Sequence, residues 1–327
     1  MRITSAIAAL ATVASLFLVE AATPGYRSLP WDGRAYNLTS DTLTNKYLTP
    51  NLIQRNGGND GNPADYVSVQ YQARPEGYND DDGVLAIGVD GNAIFSTIND
   101  VRRSDLFQQI EGTADGTSFF RASVMKAEAF LNPYEWQLIW LADLFKIGVD
   151  ATVDPPVMFY RTNGTTDSKW STEFVPGTWY NFGIGLEKSA DGNNMVLEFY
   201  TSAGQDELVF KVTNELSGSL LTLNDFHIGL LTQSTDGSAP AMDAKQDVVS
   251  FNGISAEATA TDAGAPTPAP SAGGSAVVAS SSSNSIAGEA RSSETFTFDD
   301  RSLKCTLIGK PEGFENELHV PIQHLYP

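Results

Sequence analysis

The sequence predicts an all-β fold, a jelly-roll sandwich, on three observations made between residues 23 and 255. Apolar and polar side chains alternate with period two in several segments, as in Val67 to Gln72, where valine and tyrosine face one side and serine and glutamine the other. Asp-Gly and Pro-Gly pairs separate such segments at short intervals, as turns separate strands. The best helical candidate, Leu138 to Val149, has weak capping and a tryptophan among its aliphatic residues, and we interpret it as strand and loop. Many short strands with such turns favour a sandwich.

The composition divides the chain into four parts. Residues 1–22 combine one early arginine, an apolar run and a small-residue exit, which is typical of a secretory signal, so we expect an extracellular protein. Residues 23–255 form the folded domain. Residues 256–293 are rich in Ala, Ser, Thr and Pro and are predicted to be a disordered linker. Residues 294–327 are too short for a core of their own, and their role is unassigned.

Other features fit export. Asn37 and Asn163 each begin an Asn-X-Thr glycosylation acceptor sequence. The single cysteine, Cys305, lies in the predicted tail, so the domain must be stabilised by its apolar core rather than by disulfides. No later stretch has the roughly 20 apolar residues of a membrane helix.

The net charge of −20 restricts the possible partners. It repels nucleic acids and anionic membrane surfaces, whereas a neutral polysaccharide is indifferent to it. The acidic run Asn79 to Gly83 lacks the spaced ligands of a calcium loop and is predicted to be a solvated turn. We therefore expect a monomer with neither metal nor cofactor.

Two predicted strands present carboxylates opposite the core, and a pair of carboxylates is what most sugar hydrolases use. Alternation places Arg103 and Asp105 on one face of the first strand, with Leu106 on the other. In the second strand, Glu135 and Gln137 share a face. The opposite, apolar face is predicted to hold Trp136, Leu138 and Trp140.

Two further segments offer polar or aromatic groups. His227, the only histidine in the folded region, points away from the core face of its strand, beside Gly229. Trp179 and Asn181 precede glycines that leave one strand face bare, so a polysaccharide would approach closely, with the tryptophan stacking on a sugar ring.

Each of these residues also has a structural interpretation. An arginine and an aspartate on one strand usually form a solvated ion pair. Glu135 fits an exposed strand carboxylate, and His227 fits a hydrogen-bonded structural histidine. Tryptophans lie in cores more often than on sugars. The sequence pattern leaves these alternatives open.

Taken together, these segments resemble glycoside hydrolase family 131, the secreted β-glucanases of fungi and oomycetes. The likeness covers nearly the whole domain through Trp31-Asp32-Gly33-Arg34, Arg102-Arg103-Ser104-Asp105-Leu106, Glu135-Trp136-Gln137, Trp170 to Phe174, Trp179 to Phe182 and His227 to Leu230. The resemblance implies a β-jelly roll with an open concave cleft, and cleavage of β-1,3-, β-1,4- and β-1,6-linked glucans.

The chain departs from the family's pattern in two motifs. The double-arginine motif usually ends in Thr-Glu-Leu, so Asp105 replaces a glutamate and is one methylene shorter. The second motif usually reads Glu-His-Gln, and here Trp136 replaces the histidine. A further acid that the family tends to carry falls near Asp143. These departures concern the chemistry rather than the fold.

The first functional hypothesis is an extracellular β-glucanase with β-glucan as its partner. Glu135 is the general acid, Asp105 orients or activates water, and His227 polarises the site or relays a proton. The substrate-binding residues are predicted to be Arg102, Arg103, Gln137, Trp179 and Asn181. The alternatives are a non-catalytic glucan-binding protein with a degenerate site and a jelly-roll polysaccharide lyase, which the acidic charge disfavours.

Overall fold

The computed structural model describes residues 26–112, 117–141, 144–162, 165–218 and 220–259. The predicted signal segment, nearly all of the linker, the tail with Cys305, and the positions Asp143 and Asn163 lie outside these residues. In chain order the strands are β1 (Trp31–Asp32), β2 (Val67–Tyr71), β3 (Gly83–Val89), β4 (Val101–Glu111), β5 (Ser118–Met125), β6 (Glu135–Leu141), β7 (Phe145–Asp150), β8 (Val157–Thr162), β9 (Trp170–Glu173), β10 (Tyr180–Lys188), β11 (Asn194–Ala203), β12 (Val209–Ser217), β13 (Leu223–Gln233) and β14 (Asp247–Glu257). The described helices are short: α1 (Pro50–Ile53) and three 3-10 segments at Ser40–Asn45, Pro63–Asp65 and Tyr78–Asp80.

The strands form two antiparallel sheets. An eight-stranded sheet runs in the order β12-β11-β10-β5-β14-β3-β2, with β1 added beside β14. A six-stranded sheet runs in the order β4-β13-β6-β7-β8-β9. Neighbours that are distant in sequence, such as β4 and β13, show that the chain crosses repeatedly between the sheets. This confirms the predicted all-β jelly-roll sandwich.

One apolar core fills the space between the two sheets. Phe120 of β5 packs against Phe226 of β13 with ring centroids 5.0 Å apart. Tyr160 of β8 stacks on Phe199 of β11 at 4.2 Å, with planes 6° apart. All four rings are almost completely buried, as the period-two pattern of their strands requires. Burial of such aromatic residues contributes most to a core that contains no disulfide among its described residues.

The domain ends later than the sequence predicts. β14 continues through Glu257, and Ala256, which we assigned to the linker, is fully buried. It pairs with Trp31 on one side and Phe120 on the other. The prediction was wrong here because alanine is as common in linkers as in cores, so composition alone places the boundary two residues early.

The acidic run at residues 79–83 is not simply a solvated turn. The Asp81 side chain is fully buried and accepts hydrogen bonds from the backbone N–H groups of Ala35, Gly83 and Gly253 at 2.9 to 3.0 Å. Burial raises its pKa despite these donors. Asp81 therefore ties the start of the domain to β3 and β14.

The free edge of β4 is covered by the segment that leads into α1. Leu48 and Phe107 exchange backbone hydrogen bonds, with N···O distances of 2.7 and 3.3 Å. Pro50 then begins α1. The missing N–H of the proline costs nothing at the start of a helix. This path carries Asn51 onto β4. Among the described residues, no helix combines the length and hydropathy needed to cross a bilayer.

Candidate active site

A row of side chains crosses five strands on the face of the six-stranded sheet that points away from the core, called here the outer face. The strand register pairs Phe107 with His227, His227 with Trp140, Trp140 with Lys146, and Lys146 with Arg161. Residues that are paired directly across antiparallel strands point to the same side of a sheet. The outer face therefore collects an imidazole, two aromatic rings and two cations from β4, β13, β6, β7 and β8.

Asp105 lies beside this row and is completely enclosed by hydrogen-bond donors. Its carboxylate is ion-paired with Arg103 and accepts hydrogen bonds from His227 Nδ1 at 2.8 Å and Asn51 Nδ2 at 3.0 Å. Gly229 is its partner on β13, and a Cβ there would lie 2.5 Å from both Cα and Cβ of Asp105. Burial opposes ionisation, but Arg103 and the hydrogen bond from His227 outweigh it and hold the pKa of Asp105 well below its usual value. Asp105 is therefore a carboxylate with no exposed surface.

The His227 ring is clamped between two aromatic rings. Phe107 stacks on one side with centroids 4.7 Å apart, and Trp140 on the other at 4.9 Å, with planes only 4° apart. Burial and the nearby Arg103 guanidinium lower the pKa of His227 even though Asp105 acts in the opposite direction, and this favours the neutral form of the ring.

The hydrogen bonds of His227 fix its tautomer. Because Asp105 can only accept, Nδ1 must carry the proton. Arg103 Nη2 lies 3.3 Å from Nδ1. Both nitrogens then carry hydrogens, so they do not form a hydrogen bond with each other. Among the described residues, Nε2 has no hydrogen-bond partner. It is not one of the fully buried polar atoms without a partner either. Nε2 therefore keeps a lone pair that none of the described residues uses, on a side chain that is 8% exposed.

Glu135 heads a second polar cluster on the same outer face. Its carboxylate accepts a hydrogen bond from Arg161 Nη1 at 2.7 Å and lies 3.6 Å from Lys146 Nζ. The side chain keeps 38% of its surface exposed, unlike that of Asp105. Arg161 is in turn stacked on Phe159, 3.8 Å from the ring centroid. This is an accessible carboxylate whose position is fixed by two cations.

The predicted faces are correct at most positions, with one exception. Gln137 lies half-buried on the outer face, and its amide forms no hydrogen bond with the described residues. Trp140, predicted to be on the apolar face, instead lies on the outer face. The strand register is irregular between Gln137 and Ile139, and both Leu138 and Ile139 pack in the core. This bulge advances the alternation by one residue, and so Trp140 reaches His227.

Arg102 does not join its neighbour Arg103 at the site. It lies on the opposite side of β4 and is 5% exposed. Its guanidinium donates to the backbone carbonyls of Asn99, at 2.7 Å, and Val101, at 2.9 Å. Arg102, predicted to bind substrate, therefore does not share the outer face with Arg103, because consecutive residues of a strand point to opposite faces.

Asn181 belongs to the eight-stranded sheet, and Trp179 directly precedes the same strand, whereas Asp105 lies in the six-stranded sheet. Asn181 is on β10 and fully buried, where its Oδ1 accepts from Arg74 at 3.1 Å and from Ser123 at 2.7 Å. Trp179, just before β10, stacks on the Arg74 guanidinium 4.6 Å away. The structure therefore does not bring these two predicted substrate-binding residues to the outer face that carries Glu135 and His227.

Three polar residues of the site escaped prediction. Lys146 and Arg161 alternate with core residues on β7 and β8, so the period-two pattern that identified Glu135 would have identified them too. Asn51 gave no such signal, because a short helical turn has no regular face and its contact with Asp105 joins residues 54 positions apart.

The departure at Trp136 leaves the outer face unchanged. Trp136 is fully buried in the core, where its indole N–H donates to the Asn132 carbonyl at 3.2 Å and its ring stacks on Phe130. The other departure, at Asp105, falls directly on the site.

Comparison with known proteins gives concordant results. Residues 29–262 match the model of the glycoside hydrolase 131 catalytic N-terminal domain. The catalytic domain of a GH131 β-glucanase from Podospora anserina superposes with a TM-score of 0.57 at 19% identity, over 71% of this chain and 97% of that one. The catalytic domain of the family 131 protein from Coprinopsis cinerea gives 0.53 at 18% identity, over 71% and 95%. At these identities the two structures establish the fold alone. No match was found among curated proteins.

Proposed function

Because the chain belongs to glycoside hydrolase family 131, we propose that it is a secreted enzyme that hydrolyses β-glucan on the outer face of its six-stranded sheet. The observation that carries this proposal is the gathering of two carboxylates and a neutral imidazole on that face from β4, β6 and β13, strands that are remote in sequence. Acid/base hydrolysis of a glycosidic bond needs such groups on either side of the bond.

The accessible carboxylate is assigned the general acid role. Glu135 lies where a sugar can touch it, between Arg161 and Lys146. As general acid, Glu135 donates its proton to the leaving glycosidic oxygen. Lys146 and Arg161 then hydrogen-bond sugar hydroxyls and hold the chain in register.

The other end of the site activates water. His227 Nε2 carries the lone pair that can accept a proton, and Asp105 stabilises the imidazolium that results. Arg103 and Gln137 lie on the same face and are assigned to substrate binding. Acid/base assistance of this kind contributes about 100- to 10,000-fold per group.

Secretion is proposed from the leader-like residues 1–22, and the surface of the domain is compatible with it. Asn37, the first residue of a glycosylation acceptor sequence, is exposed. Release of a glycosylated, shortened chain into the medium by a eukaryotic host would support this part of the proposal. Retention of residues 1–22 would contradict it.

The test of the activity is Glu135→Gln, which keeps the shape and removes the ionisable proton. Release of reducing sugar from laminarin and mixed-linkage glucan should fall about 100-fold or more. Glu207→Gln is the matched control, because Glu207 is exposed, precedes β12 of the other sheet and undergoes the same charge change. Wild-type turnover in the Glu135 variant would remove this residue from the mechanism.

A non-catalytic glucan-binding protein is the second candidate, and the complete burial of Asp105 favours it. A carboxylate closed off by three donor side chains cannot itself touch a sugar. Pull-down on insoluble glucan combined with product analysis separates the two functions. Retention on the glucan with no soluble product after long incubation would favour binding over hydrolysis.

A further inference from the structure

Asp105 cannot meet a substrate directly. None of its side chain is exposed, and Arg103, Asn51 and His227 occupy both carboxylate oxygens. His227 donates from Nδ1 to Asp105 Oδ2, so the lone pair of its Nε2 is used by none of the described residues, and the side chain keeps 8% of its surface exposed. The cluster is therefore layered, with the carboxylate behind and the ring in front.

We propose that Asp105 and Asn51 are positioning residues that act on the substrate through His227, whose Nε2 is the atom that takes the proton of the attacking water. This rests on the proposed β-glucan hydrolysis and assigns the roles within it. As the water oxygen bonds to the anomeric carbon, its proton passes to Nε2. The glycosidic C–O bond breaks, and its oxygen takes a proton from Glu135. Return of the His227 proton to solvent and reprotonation of Glu135 complete the cycle.

Asn51 is built into this arrangement by the chain path around it. Its Nδ2 donates to the same Asp105 oxygen, Oδ2, that accepts from His227 Nδ1, so it fixes the direction in which that oxygen points. Arg55, two residues beyond α1, secures the same stretch of β4 by donating to Ser104 Oγ at 2.8 Å and to the carbonyl of Arg103. The Asn51 side chain is buried and uncharged, which keeps the charge balance of Asp105 and Arg103 intact.

The surroundings of His227 determine what substitutions do to its protonation. The charged groups around the ring are Arg103 and Asp105 on β4, Asp225 on β13, and Lys146 on β7 beyond the uncharged Trp140 of β6. Asn51→Asp adds a negative charge behind the ring and should raise the pKa of His227. Asp105→Asn removes one and should lower it.

The first test is independent of activity. In the full chain, the His227 ring signal in an NMR pH titration is distinguished from those of His319 and His324 by its loss in His227→Gln. We expect opposite pKa shifts in Asn51→Asp and Asp105→Asn. Asn193→Asp, in the turn between β10 and β11 of the other sheet, is the matched control and should leave the titration unmoved. An unmoved His227 pKa in both site variants would overturn the proposal.

The second test measures whether Asp105 acts through His227. His227→Ala and Asp105→Asn should each lower kcat about 100-fold or more, whereas the double variant should be no slower than His227→Ala alone, because the two residues form one unit. Asn51→Ser should lower kcat about tenfold with KM unchanged, and it gives a milder variant should Asp105→Asn fail to fold. Additive losses would show that Asp105 contacts the substrate independently and would overturn the proposal. A wild-type protein without turnover would instead refute the proposed function, and the titration would still decide the positioning roles.

Discussion

Gly229 offers a direct test of how closely β13 must approach β4 for the site to form. Its φ of +154° lies where side chains are rarely tolerated. A Cβ there would lie 2.3 Å from the Ser104 carbonyl oxygen and 2.5 Å from Asp105 Cα and Cβ. Since ordinary contacts begin at 3.4 Å, Gly229→Ala must push Asp105 about 1 Å away from its position.

The size of the effect follows from that displacement. Misplacement of a catalytic group by about 1 Å costs roughly 100-fold in rate, so kcat on laminarin should fall by about that factor. Backbone strain of about 1 to 3 kcal/mol and overpacking of about 1 to 3 kcal/mol should also lower the free energy of unfolding. For a domain of this size, the melting temperature should then fall by at least about 4 °C.

The assays are thermal unfolding and initial rates of reducing-sugar release, with Gly185→Ala as control. Gly185 is also in the interior of a strand, but its Cβ would meet Glu198 Cβ at an ordinary 3.4 Å, and its φ is not in the strained region. Gly185→Ala should therefore behave like the wild type. A Gly229→Ala protein with unchanged stability and rate would refute the view that close approach at this point forms the site.

Two further predictions concern the other sheet and the pH dependence of folding. Trp179→Ala should leave KM for glucan unchanged in a folded protein, because its ring packs on Arg74 of the other sheet, and a raised KM would contradict the placement of the site. Because burial lowers the pKa of His227 in the folded state from its usual 6.5, the unfolded chain binds the proton first as the pH falls. The free energy of unfolding should therefore decrease between pH 7.5 and 5.5, and denaturant titrations of His227→Gln should show a smaller decrease. Asp105, with its lowered pKa, adds a further loss below about pH 4, which the raised pKa of Asp81 partly offsets.

The period-two pattern was sufficient for the fold and for most side-chain directions. A strand has only two faces, so the apolar set of Phe226, Ile228 and Leu230 fixes the direction of His227 without knowledge of its neighbours. The same argument gives Asp105 and Glu135 correctly. It fails for Trp140, because a bulge adds one residue to the alternation and leaves no mark in the sequence.

The assembly of the site lies beyond what alternation can supply. That Asp105 is next to His227 depends on β4 pairing with β13, whose paired residues lie more than 110 positions apart in sequence. Which sheet receives a strand is equally invisible to a local pattern, and for this reason alternation does not separate Trp179 and Asn181 from the residues of the six-stranded sheet. The resemblance to a family placed the motifs in one domain, but only the strand order separates those that meet from those that do not.

A comparison of the outer faces of the two sheets explains why the six-stranded one is assigned the chemistry. On the eight-stranded sheet, Asn252, Ser123 and Asn181 form a polar row, and the Arg74 guanidinium, itself 3% exposed, covers all three. Burial lowers the pKa of Arg74 to about 10. The hydrogen bonds of Arg74 hold its own segment of the chain over that face. Those polar groups bond to one another and offer little to a ligand. On the six-stranded sheet the Nε2 of His227 finds no hydrogen-bond partner among the described residues, and a polar atom left unpaired there beside a buried carboxylate is better explained by a substrate than by stability.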